Sequence, residues 1–352
     1  MAGRGWLRRA RTRALVAAGL AACALVVPLA GPAGADPPRP GDYRSTARGI
    51  SPATDGVEAE VIGGDALIQL TVEPGHEAIV LGYQDEPYLR FRADGTVQEN
   101  RTSPATYLNA TRYGEADVPE GLDEEAAPRW RTVADGGRYS WHDHRIHWMS
   151  TQIPADVERG SEVQEWEVPL VVDGAEVTLD GVLVLEPAVA WWPWVLAVAG
   201  VAGLVWGLGR RRPVVVAAVA GAVACVLVAV VAGVEQLSFP AEAGRMWLAV
   251  VVPGVGLLAA AAAGVLAVRS GRVGRVGTAL GLVAAGLAGG TAGLRLAVFT
   301  NPVLPTDLAP WLDRAGTAAS LGLAIGTAAL LVATNRRPRP PALPERHVEV
   351  AA

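Results

Sequence analysis

"VLVLEPAVAWWPWVLAVAGVAGLVWGLGRRR", Val182 to Arg212, holds the turning point of this chain. Upstream of Glu186-Pro187 the residues are short β-branched runs. From Ala190 an apolar stretch runs on until three consecutive arginines stop it. Short runs rich in Val, Leu and Ile between turn residues predict strands, whereas ~20 apolar residues are what a helix needs to cross a bilayer. The composition agrees: 51% hydrophobic and only 18% charged residues over 352 positions is too apolar for an ordinary soluble pair of domains.

Working upstream, "WEVPLVVDGAEVTLDGVLVLEP" (Trp166–Pro187) reads as two strands folded at Asp173-Gly174, and "YLRFRADGTVQEN" (Tyr88–Asn100) as two more folded at Asp94-Gly95. "VEAEVIGG", "ALIQLTV" and "EAIVLGY" add further short strands between Val57 and Tyr83, with Gly63-Gly64-Asp65 and Pro74-Gly75 as breaks. This spacing predicts an all-β domain over 57–188, a β-sandwich of Ig-like or cupredoxin-like type. The polar, proline-punctuated segment Ser103–Trp130 reads as a long loop, a kind that is usually functional or disordered. Residues 36–56, with prolines, glycine and arginines and no periodicity, read as a linker, with an irregular first strand from Pro37 to about Pro52 as the alternative.

Working downstream, five apolar spans follow, about Ala190–Leu208, Val214–Val234, Met246–Val268, Val276–Phe299 and Ala315–Thr334, so 190–334 is expected to be an all-α bundle of five transmembrane helices. Arginine clusters (Arg210, Arg211, Arg212; Arg269, Arg272, Arg275; Arg336, Arg337, Arg339) alternate with acidic connections holding Glu235, Glu242, Asp307 and Asp313. The positive-inside rule puts the arginine clusters and the tail, 335–352, in the cytoplasm and the β domain outside. The first 35 residues supply the matching export signal: five arginines, an apolar run, and Ala33-Gly34-Ala35 before Asp36. Leu20-Ala21-Ala22-Cys23 also fits a lipoprotein box, but the apolar run continues past Cys23, which favours ordinary secretion. The expected location is therefore the cell membrane, multi-pass.

Between Asp36 and Ala190 there are 29 acidic residues and 12 arginines, a net charge of −17. Such a domain attracts cations and repels nucleic acid, although plain solubility would explain the same excess. The mature soluble part has no cysteine, which excludes disulfides and thiol catalysis there. Ser140 and Ser150 sit in no nucleophile-elbow motif, so an enzyme is not expected.

"YSWHDHRIHWM" (Tyr139–Met149) gathers three of the chain's five histidines. In a regular strand His142 and His144 share one face and Asp143, His147 and Met149 the other. A bulge or turn near Arg145 would bring His147 round, giving three imidazoles plus Met149: a donor set for copper, the thioether favouring its cuprous state, or for zinc. Trp141 and Trp148 would shield the ion, Asp143 is a supporting acid, and His76 could complete the set. The metal-free alternative is a half-buried strand whose histidines hydrogen-bond to neighbours while Met149 fills a core gap. Converging imidazoles would favour metal; rings donating to the main chain would favour the alternative. In the bundle, Arg295 is the charge set inside a span. It either snorkels to the interface or pairs with Glu235 or Asp307 around a cavity.

His142-x-His144, His147-Trp148-Met149 and their tryptophans resemble the His/Met/Trp chemistry of extracytoplasmic copper-binding proteins. The fusion of a secreted β domain to membrane helices resembles, more loosely, fused copper-resistance proteins of the CopC and CopD type, which implies copper as cofactor. The chain departs from them in having no histidine at the predicted mature start and none in the spans. The whole layout, and the use of arginine for every one of 30 basic residues, is similar to actinobacterial multi-pass membrane proteins of no assigned function. Two readings follow: a surface protein whose β domain binds a metal ion in envelope metal handling, or a metal-free scaffold that docks another envelope protein through its acidic domain.

Overall fold

The computed structural model describes residues 37–336 apart from 114–117, 120–121, 123–125, 241–242, 245 and 271–273. The export signal over 1–35, with Cys23, and the tail from 337 lie outside the described residues.

Among the described residues ten strands form two antiparallel sheets. The larger has the order β1 (Tyr43–Ser51), β10 (Ala175–Leu185), β9 (Glu162–Val172), β4 (Ala78–Leu81), β5 (Pro87–Phe91), β6 (Val97–Asn100), β7 (Trp130–Ala134). The smaller is β2 (Val57–Ile62), β3 (Leu67–Val72), β8 (Arg138–Trp141). One hydrophobic cluster draws Ile68 and Leu70 from the small sheet and Val80, Phe91, Leu170 and Leu179 from the large one. Alternation of apolar and polar residues along β9 and β10 puts one face of that hairpin inward. Asp173 and Gly174 turn it with φ of 50° and 83°, the left-handed pair that matches strand twist.

Of the two readings of 36–56, the linker is corrected by β1 and the irregular first strand is the one found. "YRSTARGIS" pairs with β10 from Tyr43↔Leu185 to Ser51↔Thr178, with an irregularity between Ala47 and Gly49. It escapes a hydrophobic pattern because it is an edge strand with Ser45 alone buried. Ladder bonds hold it, with Arg44–Glu186 (2.7 Å) and Arg48–Glu165 (2.5 Å). The loop Ser103–Trp130 also contains one helical turn, Ala105–Leu108.

Among the described residues five helices are long and apolar enough to cross a membrane: α1 (Trp192–Gly209), α2 (Pro213–Leu237), α3 (Leu248–Ser270), α4 (Arg275–Leu294) and α5 (Pro310–Arg336). By these lengths and this apolarity the chain is a multi-pass membrane protein. Small residues bring the helices close: a Cβ added at Gly322 of α5 would lie 2.7 Å from the Val198 carbonyl of α1, and one at Gly326 2.9 Å from that of Ala202. Two expected boundaries move. α4 ends at Leu294 and passes through Arg295 into a 3-10 turn, Leu296–Phe299, and α5 starts at Pro310, five residues before the expected Ala315, because Pro at a first helical position is preorganised.

The β region abuts one end of the bundle. Gly41 exchanges main-chain hydrogen bonds with Val303 (3.0 and 3.1 Å), and Ala66 and Leu67, at the start of β3, cluster with Phe239 and Ala243 in the connection between α2 and α3.

Candidate metal centre

β8 carries Tyr139–Trp141 into the sheet beside β3 and then stops. Asp143 ends it: its carboxylate accepts from the Arg145 main-chain N–H at 3.1 Å and caps a 3-10 turn, His144–Ile146. The turn breaks the strand alternation and swings His147 back toward His142. Ligand nitrogens of His142, His144 and His147 all lie within 4.8 Å of one another. His142 and His147 are closest, with Nε2 atoms 3.0 Å apart and ring centroids at 4.7 Å.

Each ring is fixed by its other nitrogen. His142 Nδ1 faces the Ala66 carbonyl at 2.5 Å, His144 Nε2 the Thr111 carbonyl at 2.9 Å, and His147 Nδ1 the Trp148 carbonyl at 3.2 Å. The Tyr83 ring stacks on His144 and the Tyr113 ring meets His147 edge-on. Tyr83 Oη accepts from the His144 N–H at 3.0 Å and donates to Asn109. Burial keeps His142 and His147 neutral, pushing them down to about 4 and about 3, with the Arg112 cation and neighbouring histidines adding to the effect. Both are under 3% exposed, so the centre is dry at its base. The two outcomes set against each other from sequence therefore coexist: one nitrogen of each ring faces a main-chain carbonyl, and the three rings converge within 4.8 Å.

The remaining expected ligands fall elsewhere. Asp143 is fully buried but spent on Arg145 (2.8 Å) and on the Trp141 indole N–H (3.0 Å); Arg145 holds it ionised, below the usual carboxylate range, against its burial. It builds the turn and is not a ligand. Met149 is 45% exposed, so the buried donors are three imidazole nitrogens without sulfur. Trp141 is in the β core, and Trp148 donates to the Gln152 carbonyl. His76 does not complete the set: it pairs with Asp173 at 2.7 Å, at the β9–β10 turn.

Sequence reasoning missed Ala66 and Thr111, whose contribution is a carbonyl that any residue could supply. It also missed Tyr83, and Arg112, which pairs with Asp65 at 2.6 Å and ties the long loop to the residue before Ala66. The length of Ser103–Trp130 was the available signal for that loop.

In the bundle, Arg295 does pair with Glu235, but its second acid is Asp313 of α5, at 2.6 Å, and not Asp307. Asp307 lies exposed on the preceding connection, its main-chain N–H donating to Ser238. The snorkelling alternative fails too, since the Arg295 side chain is only 9% exposed.

No protein-family model, no curated protein and no solved structure matches this chain.

Proposed function

We propose that the chain is a cell-surface membrane protein whose β domain binds one late first-row metal ion through His142, His144 and His147, in envelope metal handling. The observation that carries this reading is how protons must be placed on the rings. A neutral imidazole has one N–H, and each ring directs one nitrogen at a carbonyl, which only an N–H satisfies. With the protons of His142 and His147 so spent, their Nε2 atoms are left as lone pairs facing one another, and a ring nitrogen of His144 lies within 4.8 Å of both ligand atoms. Moving the His147 proton to Nε2 relieves the 3.0 Å contact with His142 but sets its Nδ1 lone pair against the Trp148 carbonyl. A metal ion removes the conflict. Carbonyl-held outer nitrogens are the usual support of metal-bound histidine.

Three imidazole ligands with a free fourth position suit copper or zinc, and copper binds the same nitrogen set more tightly. Ligand atoms around a tetrahedral ion with bonds of about 2.0–2.1 Å sit roughly 3.3 Å apart. The 3.0 Å His142–His147 spacing needs only a small opening to reach that. The exposure of Met149 takes away the argument for the cuprous state in particular. Two sheets feeding one hydrophobic cluster support a sandwich architecture, and the arginine-rich connections support an outward β domain. The bundle anchors the site at the membrane.

The test is metal titration of the full chain in lipid nanodiscs, using Cu(II) and Zn(II) with a competing chelator, beside a His142→Ala/His147→Ala variant. One equivalent bound per chain and lost in the variant is the expected result. A folded wild-type chain that binds neither ion refutes the reading and leaves the metal-free docking protein in its place.

A further inference from the structure

The end of the bundle away from the β region holds a cleft that the metal reading does not use. The β region meets the α2–α3 and α4–α5 connections, and α1 starts shortly after β10, so the short α1–α2 connection lies at the opposite end. That connection is Arg210, Arg211 and Arg212. With 18 residues α1 is about 27 Å long, close to the ~30 Å hydrocarbon core of a bilayer. Arg210, at its end, therefore reaches the level of the lipid headgroups.

Between α1, α2 and α5 at this end lies a cavity of about 330 Å³, within the ~300–1,000 Å³ range of small-molecule sites. Trp206, Leu330 and Ala333 give it apolar walls, and Arg210 brings a positive charge to it. Gly209 lets α1 lie directly on α5 beside it, since an added Cβ would run into Leu330. Thr334 also lines the cavity, but its hydroxyl turns back to the carbonyls of Leu330 and Leu331, 3.0 Å from each. Two kinds of donor are left over. Among the described residues no carboxylate pairs with Arg210, Arg211 or Arg212, and the Trp206 indole N–H has no hydrogen-bond partner.

We propose that this cleft binds one anionic phospholipid, with the phosphate held by Arg210 and the Trp206 N–H and an acyl chain lying along Leu330 and Ala333. A guanidinium matches a phosphate in both charge and hydrogen-bond geometry, and an indole at the membrane interface presents an apolar body with one polar donor. A basic pocket between spanning helices is a recognised form of headgroup site. A soluble anion would use the donors but leave the apolar walls unfilled. A neutral lipid would fill the walls but leave the arginine charge unmatched. The lipid site does not depend on the metal reading.

Native mass spectrometry of the full chain, released from detergent after titration with phosphatidylglycerol or with phosphatidylcholine of the same acyl chains, tests this. The expected result is one phosphatidylglycerol retained per chain in preference to phosphatidylcholine. That preference should fall on the order of fivefold in Arg210→Gln and vanish in Ala333→Phe, which fills the cleft and keeps every arginine. Arg275→Gln, at the start of α4 on the same end of the bundle, should leave it unchanged. Equal retention of the two lipids overturns the proposal. So does a preference that survives Ala333→Phe in monodisperse protein, or that falls as far in Arg275→Gln as in Arg210→Gln, since either marks a diffuse attraction to the arginine clusters. Displacement of the lipid by glycerol 3-phosphate at equal concentration overturns it as well and makes the cleft a soluble-anion site.

Discussion

His142 Nε2 and His147 Nε2 stand 3.0 Å apart, with the other nitrogen of each ring turned to a main-chain carbonyl. On the proposed metal reading both Nε2 atoms carry lone pairs, which an ion bound between them would satisfy. A bound ion should therefore stabilise the domain. At a free-ion concentration of 100 Kd the gain is about 2.7 kcal/mol, visible as a raised Tm on adding Cu(II) or Zn(II) and absent in His142→Ala/His147→Ala. An unchanged Tm in the wild type would count against the site.

Tyr83 supports His144 through its hydroxyl and its ring. Tyr83→Phe keeps the ring and removes the acceptor for the His144 N–H. Metal affinity should fall by about 10-fold to 100-fold, the usual effect of removing a partner that orients a ligand. Competition titration against a chelator measures it, and an affinity equal to wild type would make the tyrosine a packing residue only.

Asp143 and Arg145 form a buried pair at 2.8 Å that also builds the turn returning His147 to the cluster. Asp143→Ala leaves the Arg145 cation buried without its partner, which costs about 3–5 kcal/mol. The variant should unfold at markedly lower denaturant, and the loss should appear with or without metal. Asp143→Asn, which can still cap the turn, should be the milder change.

His76 and Asp173 meet at 2.7 Å on the exposed β9–β10 turn, raising the histidine above 6.5 and lowering the aspartate. Because the folded-state value of the histidine is raised, its contribution to stability is complete below about pH 6.5 and fades as pH rises through the folded-state value. Histidine NMR titration should show one exposed ring titrating above pH 6.5 in the wild type and returning toward that value in Asp173→Asn. The effect should shrink in high salt, as an exposed pair is screened.

Gly64 has φ of +87°, and a Cβ there would sit 2.5 Å from Val303 Cγ1, on the connection between α4 and α5. Gly64→Ala is thus strained twice, by conformation and by contact with the bundle. It should loosen the β region from the helices, read as faster proteolysis near residue 64 in lipid, while Gly75→Ala, with nothing within 4 Å of its Cβ position, should pay the conformational cost alone.

Much of the architecture is legible along the chain because its causes are local. A bilayer demands an uninterrupted apolar run, so the five helices announce themselves from Trp192 onward, and Asp-Gly pairs mark the hairpins at residues 94–95 and 173–174, with φ above zero at Gly95, Asp173 and Gly174. β1 is legible only as one of two readings, because an edge strand is held by main-chain bonds and exposed ion pairs, which leave no hydrophobic period. The three histidines are visible as a group, but whether they meet depends on a turn capped by Asp143 and on carbonyls 76 and 33 residues away, at Ala66 and Thr111. A carbonyl has no residue identity and so no signature in sequence. Likewise the acid completing the pair of Arg295 is Asp313, because α5 begins at Pro310 and carries that side chain into the bundle, while Asp307 stays outside on the connection. Sequence by itself determined which segments live in water and which in lipid, since each obeys its solvent residue by residue. Only the tertiary structure decided which polar groups face one another, since that depends on where distant segments come to rest.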